Sequence, residues 1–164
     1  VCSSDLNYFL MKDLKMINSF AVYVVPTKSY KGLLLVAITA GLGFQISEDF
    51  SYILSDLPDG FSYTVSGILG RTIGAVSSHW LYTSFLAIGL VLIWRSRQKL
   101  INSKYSLIGM LYACGAFAAH FAWNSPLRNL ESDLPWASGL LISLNLFFFI
   151  TLYQLLSKLD KEDK

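Results

Sequence analysis

Apolar residues along this chain fall into long runs broken by short polar and charged clusters, and four of the runs are long enough to matter. The first, Gly32 to Leu54, reads GLLLVAITAGLGFQISEDFSYIL. At about 1.5 Å per residue a helix of that length crosses a ~30 Å hydrocarbon core, provided the Glu48–Asp49 pair faces protein rather than lipid. A turn-rich stretch, SDLPDG, follows from Ser55 to Gly60. The second span is expected from Val76 to Trp94, with helix extending back towards Gly67. The third runs from Tyr105 to Asn124 and the fourth from Trp136 to Leu156. The pattern therefore predicts an all-α, polytopic transmembrane bundle of four full spans.

The N-terminal run is different. MINSFAVYVVP is preceded by Lys12, Asp13 and Lys15, and at about ten residues it is too short to span. It reads as the end of a helix, so residues 1–26 are expected to be an N-terminal helix remnant. VCSSDL at residues 1–6 resembles translated adapter sequence, which suggests that upstream sequence is missing. Residues 27–157 then form the membrane-embedded domain, and residues 158–164 a charged tail. No signal peptide is recognisable.

Composition agrees with the pattern. Hydrophobic residues make up 54% of the chain and aromatics 15%, with a mean hydropathy of +0.48, above the range of an ordinary soluble domain. A net charge of +2, held in short clusters beside apolar runs, argues against a nucleic-acid partner. Those clusters instead set orientation. Arg95, Arg97, Lys99 and Lys104 crowd the connection between the second and third spans, which places that loop in the cytoplasm. Alternation puts Lys28, Lys31 and the C-terminal tail on the same side, and the connections Ser55–Ser78 and Ser125–Pro135 outside. The cysteines, Cys2 and Cys114, are too few for a disulfide framework or a thiolate metal cage; Cys114 reads as a small packing residue.

Three ionisable residues interrupt the apolar runs: Glu48, His79 and His120. A group of this kind at membrane depth is costly and is by default functional. Counting residues, Glu48 lies about 10 Å below the outer end of its span, His120 about 6 Å below its own, and His79 a turn or so inside the second. All three share the outer half of the bilayer, as one common site requires. On a helix His120 and Asn124 project from one face, as do Glu48 and Tyr52. A desolvated carboxylate beside imidazoles has the parts to activate water. Glu48, His79 and His120 also form a candidate three-ligand set for a divalent metal such as zinc, with water in the fourth position, although no local HExxH pair is present. Arg71, near the outer interface, either anchors in headgroups or pairs with an acid, and Asp49 reads as a local hydrogen-bonder. Gly41 and Gly43 are expected to permit close helix packing beside the site, and Gly109 and Gly115 to serve packing alone.

GLGFQISEDFSYI, then RTIGAVSSHWLYTS, then AAHFAWNS occur in that order. They resemble the motifs of the PrsW-type intramembrane proteases, within the wider CAAX-protease and bacteriocin-processing superfamily. The family's GxGF segment leads into an E-N-x-x-Y motif, matched by Glu48, Asp49 and Tyr52; its arginine-to-histidine segment is matched by Arg71 and His79; its H-x-x-W-N is matched by His120 and Asn124. The resemblance covers roughly Gly32 to Ser125. It implies a peptidase acting on membrane-protein or membrane-associated peptide substrates in a bacterial cytoplasmic membrane. Glu48, His79, His120 and Asn124 would be its catalytic residues, with Asp49, Tyr52 and Arg71 in support. Two positions depart from the pattern. Asp49 replaces the family's Asn, and the opening E-E-x-x-K motif is not found, since aligning its lysine with Lys15 places Met11 and Lys12 at the glutamates. The resemblance gives that pair the principal catalytic carboxylate, so these 164 residues are expected to be an incomplete or inactive form of the peptidase unless the glutamates lie upstream. A non-catalytic scaffold or immunity-type protein of the same fold is the alternative, followed by a bis-His b-haem protein using His79 and His120.

Overall fold

The computed structural model describes residues 29–124 and 137–162, and among them every regular element is helical. The expected N-terminal helix remnant and the Ser125–Pro135 connection lie outside the described residues. Helix α1 spans Tyr30–Asp56, α2 Phe61–Gly74, α3 His79–Arg97, α4 Lys104–Asn124 and α5 Ala137–Glu162. Four helical stretches are long and apolar enough to cross a membrane, the second of them comprising α2 and α3 together. Leu35, Ile46, Leu107, Phe117, Phe121 and Phe147 project from the bundle's outer surface, as lipid-facing side chains do. The protein is a multi-pass membrane protein.

Helix α3 forms the centre. Leu81, Tyr82, Phe85, Ile88 and Leu92 are buried on it, facing α1, α4 and α5. Helix α1 meets it along one stripe, Tyr30, Leu34, Ala37, Gly41 and Gln45, spaced to lie on one helical face. Its partner stripe on α4 is Tyr105, Gly109, Tyr112, Ala113 and Ala116. Leu152, Leu156 and Leu159 of α5 complete the core.

Two glycine contacts set how closely these helices approach. A Cβ at Gly41 would stand 2.5 Å from the Trp80 Cα, so α1 rests on the backbone at the start of α3. Between α3 and α4, Gly89 faces Gly109, and a Cβ on either would come within 2.6 Å of the other's carbonyl oxygen. Small residues at such crossings allow close van der Waals packing where lipid offers no hydrophobic drive between helices. Gly43 and Gly115 were expected to share this role, but neither would bring a Cβ within 4 Å of a neighbour, so neither sets a close helix approach. Cys114 is likewise exposed rather than packed.

The principal departure from expectation lies between Ser55 and Ser78. Helix begins in this connection well before Gly67: Leu57–Asp59 form a short 3-10 turn, the chain reverses at Gly60 with φ +105, and α2 follows. That φ lies in the left-handed region that glycine occupies without steric cost. A second 3-10 turn, Ala75–Ser77, and an extended Ser78 (φ −141, ψ −152) then separate α2 from α3. The second apolar run is a broken helix, and His79 is the first residue after the break rather than a turn inside a continuous span. Backbone groups freed by such a break are tolerated at membrane depth only when protein satisfies them. Here the Trp80 Nε1–H donates to the Ala75 carbonyl at 2.9 Å and the Tyr82 hydroxyl to the Ser77 carbonyl at 3.1 Å.

Helix α5 continues to Glu162, so the residues expected to form a charged tail are helical at least that far. Its Asp160 carboxylate caps α1, accepting from the Tyr30 N–H at 2.6 Å, the Lys31 N–H at 3.2 Å and the Ser29 hydroxyl at 3.0 Å. An anion at a helix N-terminus meets both the unsatisfied donors and the positive end of the helix dipole. Arg95, in the last turn of α3, lies over the Tyr30 ring at 4.3 Å. The start of α1, the end of α3 and the end of α5 therefore share one side of the bundle, as the charge distribution requires.

Candidate active site

The face of α1 opposite its lipid contacts becomes polar towards its C-terminal end. Gln45, Glu48, Asp49, Tyr52 and Asp56 recur at helical spacing, and across from them α2 presents Tyr63, Ser66, Gly67, Gly70, Arg71 and Gly74 with the same period. The two faces enclose a cavity of about 480 Å³, closed at its inner end by His79, Tyr82, His120, Trp123 and Asn124. It is lined mainly by residues that carry hydrogen-bonding groups or no side chain.

Glu48 and His79 meet inside it. The Glu48 Oε2 and His79 Nε2 are 2.7 Å apart, with side chains 28% and 15% exposed. This contact joins α1 to the first residue of α3, about two helical turns from the close approach at Gly41. On the same seam the Gln45 Oε1 accepts from the His79 backbone N–H at 3.4 Å, tying the start of α3 to α1 a second time. The His120 ring, from α4, packs edge to face on His79 with centroids 5.0 Å apart, and stacks on Tyr82 at 5.3 Å with an 18° interplanar angle. Phe44 closes the other side of His79 at 4.6 Å. Glu48, His79 and His120, on three different helices, are thus brought into one cluster.

The remaining candidates divide. Arg71 lies with its guanidinium 3.8 Å from the Tyr52 ring centroid, within cation–π range, and 3.7 Å from Asp49. Asp49 in turn accepts from the Gln45 Nε2 at 2.7 Å. Arg71, Asp49 and Tyr52 thus form a second group on the same cavity wall, and among the described residues the buried Arg71 Nε has no acceptor. Asn124 lines the cavity at the end of α4; it makes no hydrogen bond to His120 among the described residues, so the i, i+4 spacing did not translate into a direct contact. Two residues that sequence reasoning passed over belong to the cluster, Gln45 and Tyr82, and Trp123 of the H-x-x-W-N motif joins them. Gln45 is three residues before Glu48, and Tyr82 three after His79, so helical spacing alone would have put both on the faces of known candidates.

The sequence profile of the PrsW family intramembrane metalloproteases matches residues 16–154, most of the chain and all of this site. The chain belongs to the PrsW family. Comparisons with curated proteins and with solved structures gave no significant match.

The family's description as metalloproteases raises the question whether these residues suit a metal. Among the described residues no group of three or more His, Cys, Asp or Glu is arranged to hold one. Two donors on a common tetrahedral zinc stand about 3.3 Å apart, whereas Glu48 and His79 are at hydrogen-bonding separation, and Asp49 is turned to Gln45 and Arg71. The described donors of this PrsW chain form a hydrogen-bonded pair with a neighbouring imidazole. The bis-His haem alternative does not fit this geometry. Axial imidazoles lie on opposite faces of a flat macrocycle, while His79 and His120 touch edge to face, leaving no slot between them.

Proposed function

We propose that the protein is a membrane peptidase that hydrolyses peptide bonds of membrane-associated substrates, in regulatory or processing proteolysis, at the Glu48–His79 pair. The observation that carries this reading is the 2.7 Å contact between those side chains at the inner end of a polar cavity within an otherwise apolar bundle. A carboxylate held by a hydrogen bond in a site shielded from bulk water is oriented before substrate arrives.

With the Glu48 Oε2 engaged by the His79 N–H, its Oε1 remains to accept a proton from a water molecule as that water attacks the scissile carbonyl carbon. The C=O bond becomes a C–O⁻ single bond, and the oxyanion is met by N–H groups of His120 and Asn124. Collapse of the tetrahedral species breaks the C–N bond, and Glu48 returns its proton to the departing amine. Gln45, by holding the backbone of His79, keeps the pair in register. Tyr52 and Arg71 form a flat cationic wall that orients the peptide through its carbonyl oxygens.

The polar face of α1 from Gln45 to Asp56 is about 16 Å long, which accommodates roughly five residues of extended peptide. The glycine-rich face of α2 opposite gives that peptide room for its backbone. Substrates are accordingly membrane-anchored segments that unwind locally before cleavage. The site lies on the outer side of a bacterial cytoplasmic membrane, with the α3–α4 connection and the C-terminus in the cytoplasm.

The test is proteoliposome-reconstituted protein incubated with a panel of quenched-fluorescent single-span peptides, the products identified by mass spectrometry. The full-length protein, including any upstream E-E-x-x-K segment, is expected to generate new termini, and Glu48→Gln or His120→Ala in it to abolish them while membrane insertion stays intact. Normal cleavage by both variants would overturn the assignment.

A further inference from the structure

Helix α5 contributes no side chain to the cavity, yet it holds a buried amide aimed at the element on which the site depends. Asn145 is 4% exposed in the middle of an apolar helix. Its Nδ2 donates to the Ser77 hydroxyl at 2.8 Å, and Ser77 is 0% exposed. Interhelical contacts of this kind often serve only as adhesion between membrane helices. Ser77 is placed to do more. It ends the 3-10 turn that breaks the second span, two residues before His79. Its carbonyl also accepts from the Tyr82 hydroxyl, and the Tyr82 ring is the surface on which His120 stacks. One buried serine thus lies behind both imidazoles, through the backbone to His79 and through Tyr82 to His120.

We propose that Asn145, acting through Ser77, is a positioning residue that fixes the orientation of both His79 and His120. The turn at Ala75–Ser77 interrupts the helical ladder, and an anchor from a separate helix restricts the freedom with which Ser78 and His79 could rotate together. The same anchor holds the carbonyl that Tyr82 needs. This inference rests on the peptidase reading only for its kinetic consequence; the orientation of the imidazoles is measurable without a substrate.

The chain holds only two histidines, so histidine labelled with ¹³C and ¹⁵N reports the site and nothing else. In lipid nanodiscs the unsubstituted protein is expected to show one set of imidazole resonances per residue, assigned with His79→Gln and His120→Gln. Ser77→Ala and Asn145→Leu should each shift and split both sets and lower the melting temperature, because each leaves a buried polar group unpaired. The double variant Ser77→Ala/Asn145→Leu removes both partners, so its stability should recover while the imidazole resonances stay displaced. Tyr82→Phe, which keeps the stacked ring and loses only the hydroxyl, should displace the His120 set. An exposed control on the same helix, Ser143→Ala, should change nothing. Where cleavage is measurable, the double variant should lose kcat by up to about 100-fold with KM unchanged, the effect of misplacing reacting groups by about an ångström. Wild-type imidazole spectra in both the double variant and Tyr82→Phe would overturn the proposal, whether or not any peptide is cleaved.

Discussion

Gly41 and Trp80 meet backbone to backbone: a Cβ at residue 41 would lie 2.5 Å from the Trp80 Cα and 2.7 Å from the His79 carbonyl oxygen. Since both neighbours are main chain, neither can rotate away. Gly41→Ala must push α1 from α3 by a sizeable fraction of an ångström and stretch the Glu48–His79 contact beyond hydrogen-bonding range. We expect a cost of roughly 1–3 kcal/mol and loss of any hydrolysis. Gly43→Ala, whose Cβ meets nothing, should stay within about 0.5 kcal/mol of the parent. Thermal unfolding in detergent micelles of both variants decides the matter, and equal stability would show that the approach is not needed.

A second crossing is equally tight. Gly89→Ala or Gly109→Ala each place a methyl against the opposing carbonyl, and Gly109→Ala also crowds Ile93. Each is expected to destabilise by roughly 1–3 kcal/mol, without acting directly on the cavity. Because both changes force the same pair of helices apart, the double substitution should cost less than the sum of the two. Strict additivity in denaturation measurements would contradict a shared contact.

Asp160 holds three donors at the start of α1. Asp160→Ala should cost roughly 1–3 kcal/mol, the range for a helix cap whose acceptor is charged, and Asp160→Asn less, because one acceptor oxygen remains. Hydrogen exchange offers the clearest readout: the Tyr30 and Lys31 amides should lose protection in Asp160→Ala while those of α4 keep theirs.

The Arg71–Tyr52 stack predicts an order among variants. Tyr52→Phe preserves the ring and should leave peptide cleavage near wild type, whereas Tyr52→Leu should raise KM by removing a contact of about 0.5–2 kcal/mol. Arg71→Lys should resemble Tyr52→Leu, since an ammonium cannot reproduce a planar guanidinium. Steady-state kinetics on one cleaved peptide would show whether Arg71→Lys behaves as wild type, a result incompatible with a stacking role.

Orientation is open to direct measurement. Reporter fusions placed in the α3–α4 connection near Asn102 and at the C-terminus should both be active as cytoplasmic reporters and silent as periplasmic ones. The opposite pattern would reverse the assignment drawn from Arg95, Arg97, Lys99 and Lys104.

The sequence made the spans readable because lipid-facing and core-facing residues are both apolar, so length and hydropathy are enough to find α1, α4 and α5. It also brought Glu48, His79 and His120 to one depth, since a residue's height in a helix follows from counting. What it concealed was the helix's start at Phe61, before Gly67, and the break at 75–78. Ser66, Gly67, Gly70 and Gly74 give that stretch the composition of a loop, but those small residues line one face of a helix where a cavity replaces packing. Ser77, at the break before His79, accepts from Asn145, which is 68 residues away in sequence, and no local pattern encodes so distant a partner. A lone Asn in an apolar run was nevertheless a signal available to be followed. Gly43, Gly115 and Cys114 misled for a simpler reason: composition names a small residue, but only the rotational setting of its helix decides whether it faces a neighbour or lipid.

Because the clustered groups come from α1, α3 and α4, no single helix carries a reactive centre. During biogenesis the ionisable side chains enter the bilayer one segment at a time. Glu48 arrives before its imidazole exists, and His120 arrives last of the three. The lone carboxylate of a nascent α1 remains a burden on insertion until α3 docks against Gly41 and supplies His79. The cluster's assembly therefore follows helix docking, and a half-made chain holds no joined set of Glu48, His79 and His120.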